Sequence, residues 1–206
     1  MRITLRKLLL VFFTLSVTYV SAQITLVKSH KPKAKIVLAE NNAVNHDAAL
    51  ILSHFIEKIS NAELSITNKF ISEKGVIIIG EKTKEVGTDG FILDCKDDAL
   101  KILTGGGNGA IYGVETLLEQ YLGVNYWTFK TVDYPQLVTI SIPQMHRAET
   151  PAFNFRMSQS YGNDDPQYVK WFRLNNQAEV FADNLWVHTF NQILPASVYG
   201  KSHPEY

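Results

Sequence analysis

The stretch Ala99–Trp127 limits what this chain can fold into more than any other. Ala99 to Thr104 reads as a strand, Gly105 to Gly109 as a glycine turn, Ala110 to Leu122 as a helix, and Val124 to Trp127 as a returning extended run. In the helix, Ile111, Val114, Leu117, Leu118 and Tyr121 recur at helical spacing and make one apolar stripe. Glu115, Glu119 and Gln120 are expected on the opposite, wet side. Gly123 suits a left-handed C-cap, a conformation that costs other residues steric energy. Strand, helix and returning strand are expected to pack as one unit.

The turn Gly105-Gly-Gly-Asn-Gly-Ala110 also satisfies G-x-G-x-x-A, the dinucleotide fingerprint. The run after the helix, Val124 to Phe129, ends in no acidic residue to hold a ribose. The glycines are therefore read as packing devices that let the helix turn sharply and lie close to the sheet. Gly113, inside the helix, fits the same reading. No cofactor is expected. No metal site is expected either, because His30, His46, His54, His146, His188 and His203 lack paired ligand spacing. No G-x-S-x-G elbow is present, which argues against a serine hydrolase.

Residues 1–22 read as an export signal. Arg2, Arg6 and Lys7 make a positive start, Leu8 to Val20 a short apolar core, and Val20-Ser21-Ala22 a small-residue cleavage site. The apolar run is shorter than the roughly 20 residues that a membrane span needs. Cleavage after Ala22 would leave a periplasmic or extracellular chain with 17 basic and 20 acidic residues. With 46% hydrophobic and 19% charged residues, the chain can bury a core. No basic face marks it for nucleic acid. The single cysteine, Cys95, shares a strand face with Phe91 and Leu93 and is expected as a buried core residue.

Along the mature chain, Lys35 to Ala39 reads as a strand and Asn45 as the cap of a helix with Asp47 in its first turn. The buried stripe of that helix is Ala48, Leu52, Phe55, Ile56 and Ile59. Strands are expected over Glu63–Thr67, Gly75–Gly80 (central, covered on both faces), Asp89–Cys95, Ala99–Thr104 and Gln136–Ile142. The fold class is α/β (α+β): a mixed sheet with helices packed on it over residues 23–143. Residues 144–151, with prolines at both ends, read as a linker. Residues 152–206 read as strand Ala152–Met157, helix Asp165–Leu174 capped by Asp165 with Pro166 following, and strand Asn184–Phe190. One such βαβ unit cannot bury both its faces, so it is expected to be the opening of an incomplete (β/α)8 barrel.

Arg156 and His188 fall near the ends of those two strands. If the strands begin a barrel, both side chains lie toward its C-terminal mouth, where barrel enzymes bind substrate. Arg156 could hold a hydroxyl or carboxylate through two parallel bonds. Equally, Arg156 could pair with a local carboxylate such as Asp164, and His188 could be a packed strand residue. Asp164, Asp165 and Glu205 read as caps or surface charges.

Val76-Ile-Ile-Ile-Gly80, Asp89-Gly90-Phe91, Gly105-Gly-Gly-Asn-Gly-Ala-Ile-Tyr-Gly-Val-Glu-Thr-Leu-Leu-Glu119 and Leu122-Gly-Val-Asn-Tyr-Trp127 together resemble the N-terminal domain of α-glucuronidases and β-hexosaminidases. In those glycoside hydrolases the domain precedes a catalytic (β/α)8 barrel. Pro151-Ala-Phe-Asn-Phe-Arg156, with His188-Thr-Phe through His203-Pro-Glu-Tyr206, resembles the start of the barrel in a DUF4838-type group. The resemblance implies a glycoside hydrolase lineage, a carbohydrate partner and a sugar-gripping role for Arg156. It places the acid and base carboxylates on later barrel strands, so the catalytic residues stay unassigned and this chain alone is expected not to catalyse. A non-catalytic carbohydrate-binding or scaffold module is the second reading, and a small nucleotide-dependent enzyme the third.

Overall fold

The computed structural model describes residues 23–69, 72, 74–158, 162, 164–175 and 190–205. They fall into two compact units that divide after Ala152. The first unit opens with β1 (Gln23–Lys28), β2 (Lys31–Pro32) and β3 (Lys35–Leu38), followed by α1 (Ala43–Ser60). Next come β4 (Ile66–Thr67), β5 (Val76–Lys82), β6 (Phe91–Lys96), β7 (Ala99–Thr104) and α2 (Gly109–Leu122). The unit closes with β8 (Asn125–Thr128), β9 (Thr131–Asp133), β10 (Ile140–Pro143) and β11 (Met145–Glu149).

Six strands form the main sheet in the order β11-β6-β7-β5-β3-β4. β4, β3, β5 and β7 run parallel, while β6 and β11 are antiparallel to their neighbours. The sheet is therefore mixed, with β5 near its centre, as its unbroken apolar run predicts. Register alternation sends Ile36, Ile77, Ile79, Leu100, Ile102 and Leu93 to one face, against α1 and α2. Val37, Val76 and Ile78 point to the other face and shield one another, with Ala99 packed alongside.

The stripe Ala48, Leu52, Phe55, Ile56 and Ile59 of α1 is buried as its spacing requires. Its cap lies one turn earlier than Asn45. The Asn42 side chain accepts the Asn45 N–H at 2.9 Å, and Asp47 falls outside the first turn. Asn45 is instead buried, donating through Nδ2–H to the Glu40 carbonyl and lying against Gly80, where a Cβ would collide with it. Gly80, at φ +86°, supplies the bulge that shifts the β5 register. Asn61 ends α1 in the left-handed region.

Elsewhere the outcome differs from the periodicity. Only Ile66–Thr67 of the expected strand over 63–67 pairs. The run after α2 does not return to the main sheet but pairs with β9 as a separate hairpin. The strand expected over 136–142 is confined to Ile140–Pro143, beside β1. The stretch 144–151, expected as a linker, carries β11, which pairs with β6 from Met145 opposite Cys95 to Glu149 opposite Phe91. Glu115 is 2% exposed and not on a wet face, because α2 is enclosed on nearly every side from Gly109 to Leu118.

In the second unit, α3 (Pro166–Trp171) is capped by Asp165, whose carboxylate accepts the Tyr168 N–H at 2.7 Å, and Pro166 occupies the first turn. α4 (Phe190–Ile193) and α5 (Ala196–Tyr199) follow. Residues 152–157 form no strand, since the N–H and C=O of Arg156 bond to Asn175 rather than to a neighbouring strand. Of the strand expected over 184–190, residues 184–189 lie outside the described residues and Phe190 begins α4. The described residues of this unit contain helices and no strand, so the βαβ opening of a barrel is not seen.

Candidate functional site

The glycine turn before α2 is packed, backbone on backbone, against the turn at residues 86–90. Gly105 N–H donates to the Gly90 carbonyl at 3.0 Å, and Asp89 N–H donates to the Gly106 carbonyl at 3.1 Å. A Cβ at Gly105 would collide with the carbonyl oxygens of Gly87 and Val86, and one at Gly109 with the carbonyl of Gly90. These glycines exist because two turns approach closer than side chains permit.

The positive end of α2 holds an anion from this chain. Asp89, itself in the left-handed region at φ 63°, presents its carboxylate to the Asn108 N–H at 2.8 Å. That is where a dinucleotide fold would put a pyrophosphate. Asp89 lies 19 residues before Asn108, and no local pattern announces it as a cap. The β6–β7 turn explains the proximity.

Arg156 sits in an irregular, half-buried segment. Its Nε–H donates to the Arg173 carbonyl at 2.6 Å and its Nη1–H to the Phe153 carbonyl at 2.7 Å. Its backbone N–H donates to Asn175 Oδ1 at 2.7 Å, and Asn175 Nδ2–H donates to the Asn154 carbonyl. The guanidinium thus braces residues 153–156 against the segment that leaves α3, where Arg173 adopts φ 56°. His188 lies outside the described residues. Asp164 is exposed, Asp165 is the α3 cap, and Glu205 pairs with His203 at 3.0 Å.

A polar cluster that no sequence spacing indicates lies on the sheet face away from the helices. Asp94 contacts His146 Nδ1 at 3.1 Å and Lys96 Nζ at 3.2 Å, and Lys101 pairs with Glu81 at 3.1 Å. Asp94, Lys96, Lys101 and Glu81 border a hollow of about 530 Å³ floored by Val37, Ile78 and Ala99. Burial pushes the Asp94 carboxyl up, but hydrogen bonds and positive charge from His146 and Lys96 outweigh it and hold the pKa below its ordinary 3.8. His146 and Asp94 are 52 residues apart in sequence and meet only because β11 pairs with β6.

Cys95 is fully buried, its thiol within 3.8 Å of the Ile142 carbonyl, and burial raises its pKa. It belongs to the core, as its strand register implies. Among the described residues no three His, Cys, Asp or Glu side chains converge as metal ligands, and no helix is long and apolar enough to cross a membrane.

Residues 126–206 match a family described as a domain of unknown function, DUF4838. The match begins inside the β8–β9 hairpin. No curated protein matches the sequence. Among solved structures, a family GH115 4-O-methyl-α-glucuronidase with specificity for decorated arabinogalactans shares 16% identity at a TM-score of 0.51, over 65% of this chain and 19% of its own. The GH20 β-N-acetylhexosaminidase of Streptomyces coelicolor shares 14% identity at a TM-score of 0.50, over 66% of this chain and 25% of its own. A GH20 exo-β-N-acetylglucosaminidase from Vibrio harveyi shares 19% identity over 66% of this chain and 18% of its own, at a TM-score of 0.46. The fold likeness rests on the first two. The chain spans about a quarter or less of the length of these enzymes. The resemblance to α-glucuronidases and β-hexosaminidases drawn from the sequence holds at the level of fold.

Proposed function

We propose that this chain is the N-terminal portion of an exported glycoside hydrolase-like protein that acts on a polysaccharide or glycan, and that it does not cleave glycosidic bonds by itself. The observation that carries the proposal is the shared fold of this chain and of enzymes that are glycosidases. Export rests on the composition of residues 1–22, a positive start, a short apolar core and a small-residue cleavage site.

Glycosidic cleavage needs two carboxylates placed across the scissile bond, roughly 5 to 9.5 Å apart. Among the described carboxylates of the second unit, Asp165 caps α3, Glu205 pairs with His203, and Asp164 is exposed. That unit also leaves Phe153 73% and Phe190 83% exposed, together with Ile193 and Val198. Apolar surface of that kind suits a layer built to be covered by further polypeptide. Within the proposal, Arg156 and His188 contact the sugar.

The test is hydrolysis of a panel of aryl-glycosides. The chain is expected to show no turnover, and a form extended by the remaining βα units is expected to cleave. Turnover by the chain itself that survives repurification would overturn the inactivity. A sugar-binding product that never cleaves in any extended form would favour a non-catalytic carbohydrate-binding or scaffold module.

A further inference from the structure

The β8–β9 hairpin forms its own two-stranded sheet, apart from the two larger sheets of the first unit. Its base is fixed to α1. Tyr134 packs edge-on against Phe55, Gln136 Nε2–H donates to the Lys58 carbonyl, and Leu137 N–H donates to the Ile59 carbonyl. The register pairs Asn125 with Asp133 and Tyr126 with Val132, then slips between Tyr126 and Thr128. Trp127 is the residue at that slip.

A bulge re-aims a side chain that a regular ladder would hold elsewhere. Here it leaves the indole of Trp127 63% exposed, although tryptophan has more apolar surface to bury than almost any residue. The ring does not swing freely. Its Nε1–H donates to Asp133 Oδ2 at 2.9 Å across the hairpin. Asn125 and Asp133, directly opposite one another, lie on the same hairpin face and are both exposed. That face therefore carries a flat, oriented aromatic plate flanked by an amide and a carboxylate.

We propose that this face is a carbohydrate-binding platform on which Trp127 stacks against the apolar C–H face of a pyranose ring while Asp133 and Asn125 bond its hydroxyls. A sugar matches the arrangement because it too joins a flat apolar face to a rim of hydroxyl donors and acceptors. An aliphatic protein surface would leave the carboxylate and the amide to be desolvated without partners. The Asp133 carboxylate has a second oxygen to accept a hydroxyl while it holds the indole. The inference rests on the glycan-acting reading above and adds to it a site on the first unit.

The experiment is affinity measurement on the 206-residue chain by calorimetry with chitotriose and by affinity electrophoresis in soluble arabinogalactan. Trp127→Ala, Trp127→Phe and Asp133→Ala are compared with the unaltered chain, with thermal melts as a folding control. The unaltered chain is expected to bind at least one of the two glycans. Trp127→Ala should weaken that binding tenfold or more, Trp127→Phe less, and Asp133→Ala several-fold, with unchanged melting. Full affinity in a folded Trp127→Ala chain overturns the platform and leaves the glycan-acting reading standing. Loss of affinity that appears only together with a lowered melting temperature in all three variants also overturns it, because the face is then part of a packed interface. Absence of binding by the unaltered chain to either glycan or to a broad glycan array removes the glycan-acting reading, and the platform with it.

Discussion

Replacing Gly105 by alanine should cost more than replacing its neighbour Gly106, and the comparison isolates the role of the glycine turn. At Gly105 a methyl group would run into the carbonyl oxygens of Gly87 and Val86, both backbone atoms with no rotamer to escape into. Making room means prying the two turns apart. That strains the bond from Gly105 to the Gly90 carbonyl and the one from Asp89 to the Gly106 carbonyl. Overpacking of this kind costs about 1–3 kcal/mol and a weakened backbone bond about 1 more, so the loss should be about 3 kcal/mol. At Gly106 nothing lies within 4 Å of where a methyl would sit, and only its φ of +109° opposes a side chain. The expected cost there is about 1–2 kcal/mol of backbone strain. Urea denaturation followed by far-UV circular dichroism reads both, and a drop of roughly 10 °C in Tm for Gly105→Ala should accompany it. A Gly105→Ala chain no less stable than Gly106→Ala would refute the packing account of this turn.

Two further outcomes follow from buried or paired groups. Because the folded-state pKa of Asp94 is depressed below 3.8 by His146 and Lys96, its stabilising contribution is fully present above that value and is lost as pH falls through the depressed pKa. Urea midpoints of the unaltered chain and Asp94→Asn should therefore differ at about pH 5 and converge as pH falls below about 4; a gap that widens toward acid would contradict the assignment. Cys95, fully buried with a raised pKa, should resist an aromatic disulfide reagent in the folded chain and react promptly in urea. Prompt labelling under native conditions would place the thiol outside the core.

Much of the first unit can be read from local pattern, because its strongest elements are governed by neighbours in sequence. The α1 stripe, the apolar run of β5 and Gly123 as the left-handed cap of α2 all follow from periodicity or from φ preference. What cannot be read depends on tertiary partners. β11 carries polar residues between two prolines, since an edge strand needs only one partner and little apolar surface. The run after α2 looks like any returning strand, and nothing local says that it will pair with residues 131–133 and not with the sheet. Asn42 and Asn45 are equally good caps by type. Asn45 is excluded by its packing against Gly80, which lies on β5.

The candidate site divides in the same way. The packing role of the glycine turn is legible from its context, but Asp89, which fills the positive end of α2, is not, because it reaches the helix through the β6–β7 hairpin. Arg156 stands out by its place in an expected strand. The bonds it makes to the carbonyls of Phe153 and Arg173 depend instead on how the chain folds back after α3. Trp127 gives no signal of its exposure, since an aromatic in a short extended run is usually a core residue.

The central claim is that the chain belongs to a glycan-acting protein and engages carbohydrate. A glycan array probed with the purified 206-residue chain tests it most directly. Saturable binding to a defined set of neutral or acidic oligosaccharides, with every bound glycan recovered uncleaved, is the predicted result. A folded chain that binds no glycan on the array would contradict the claim.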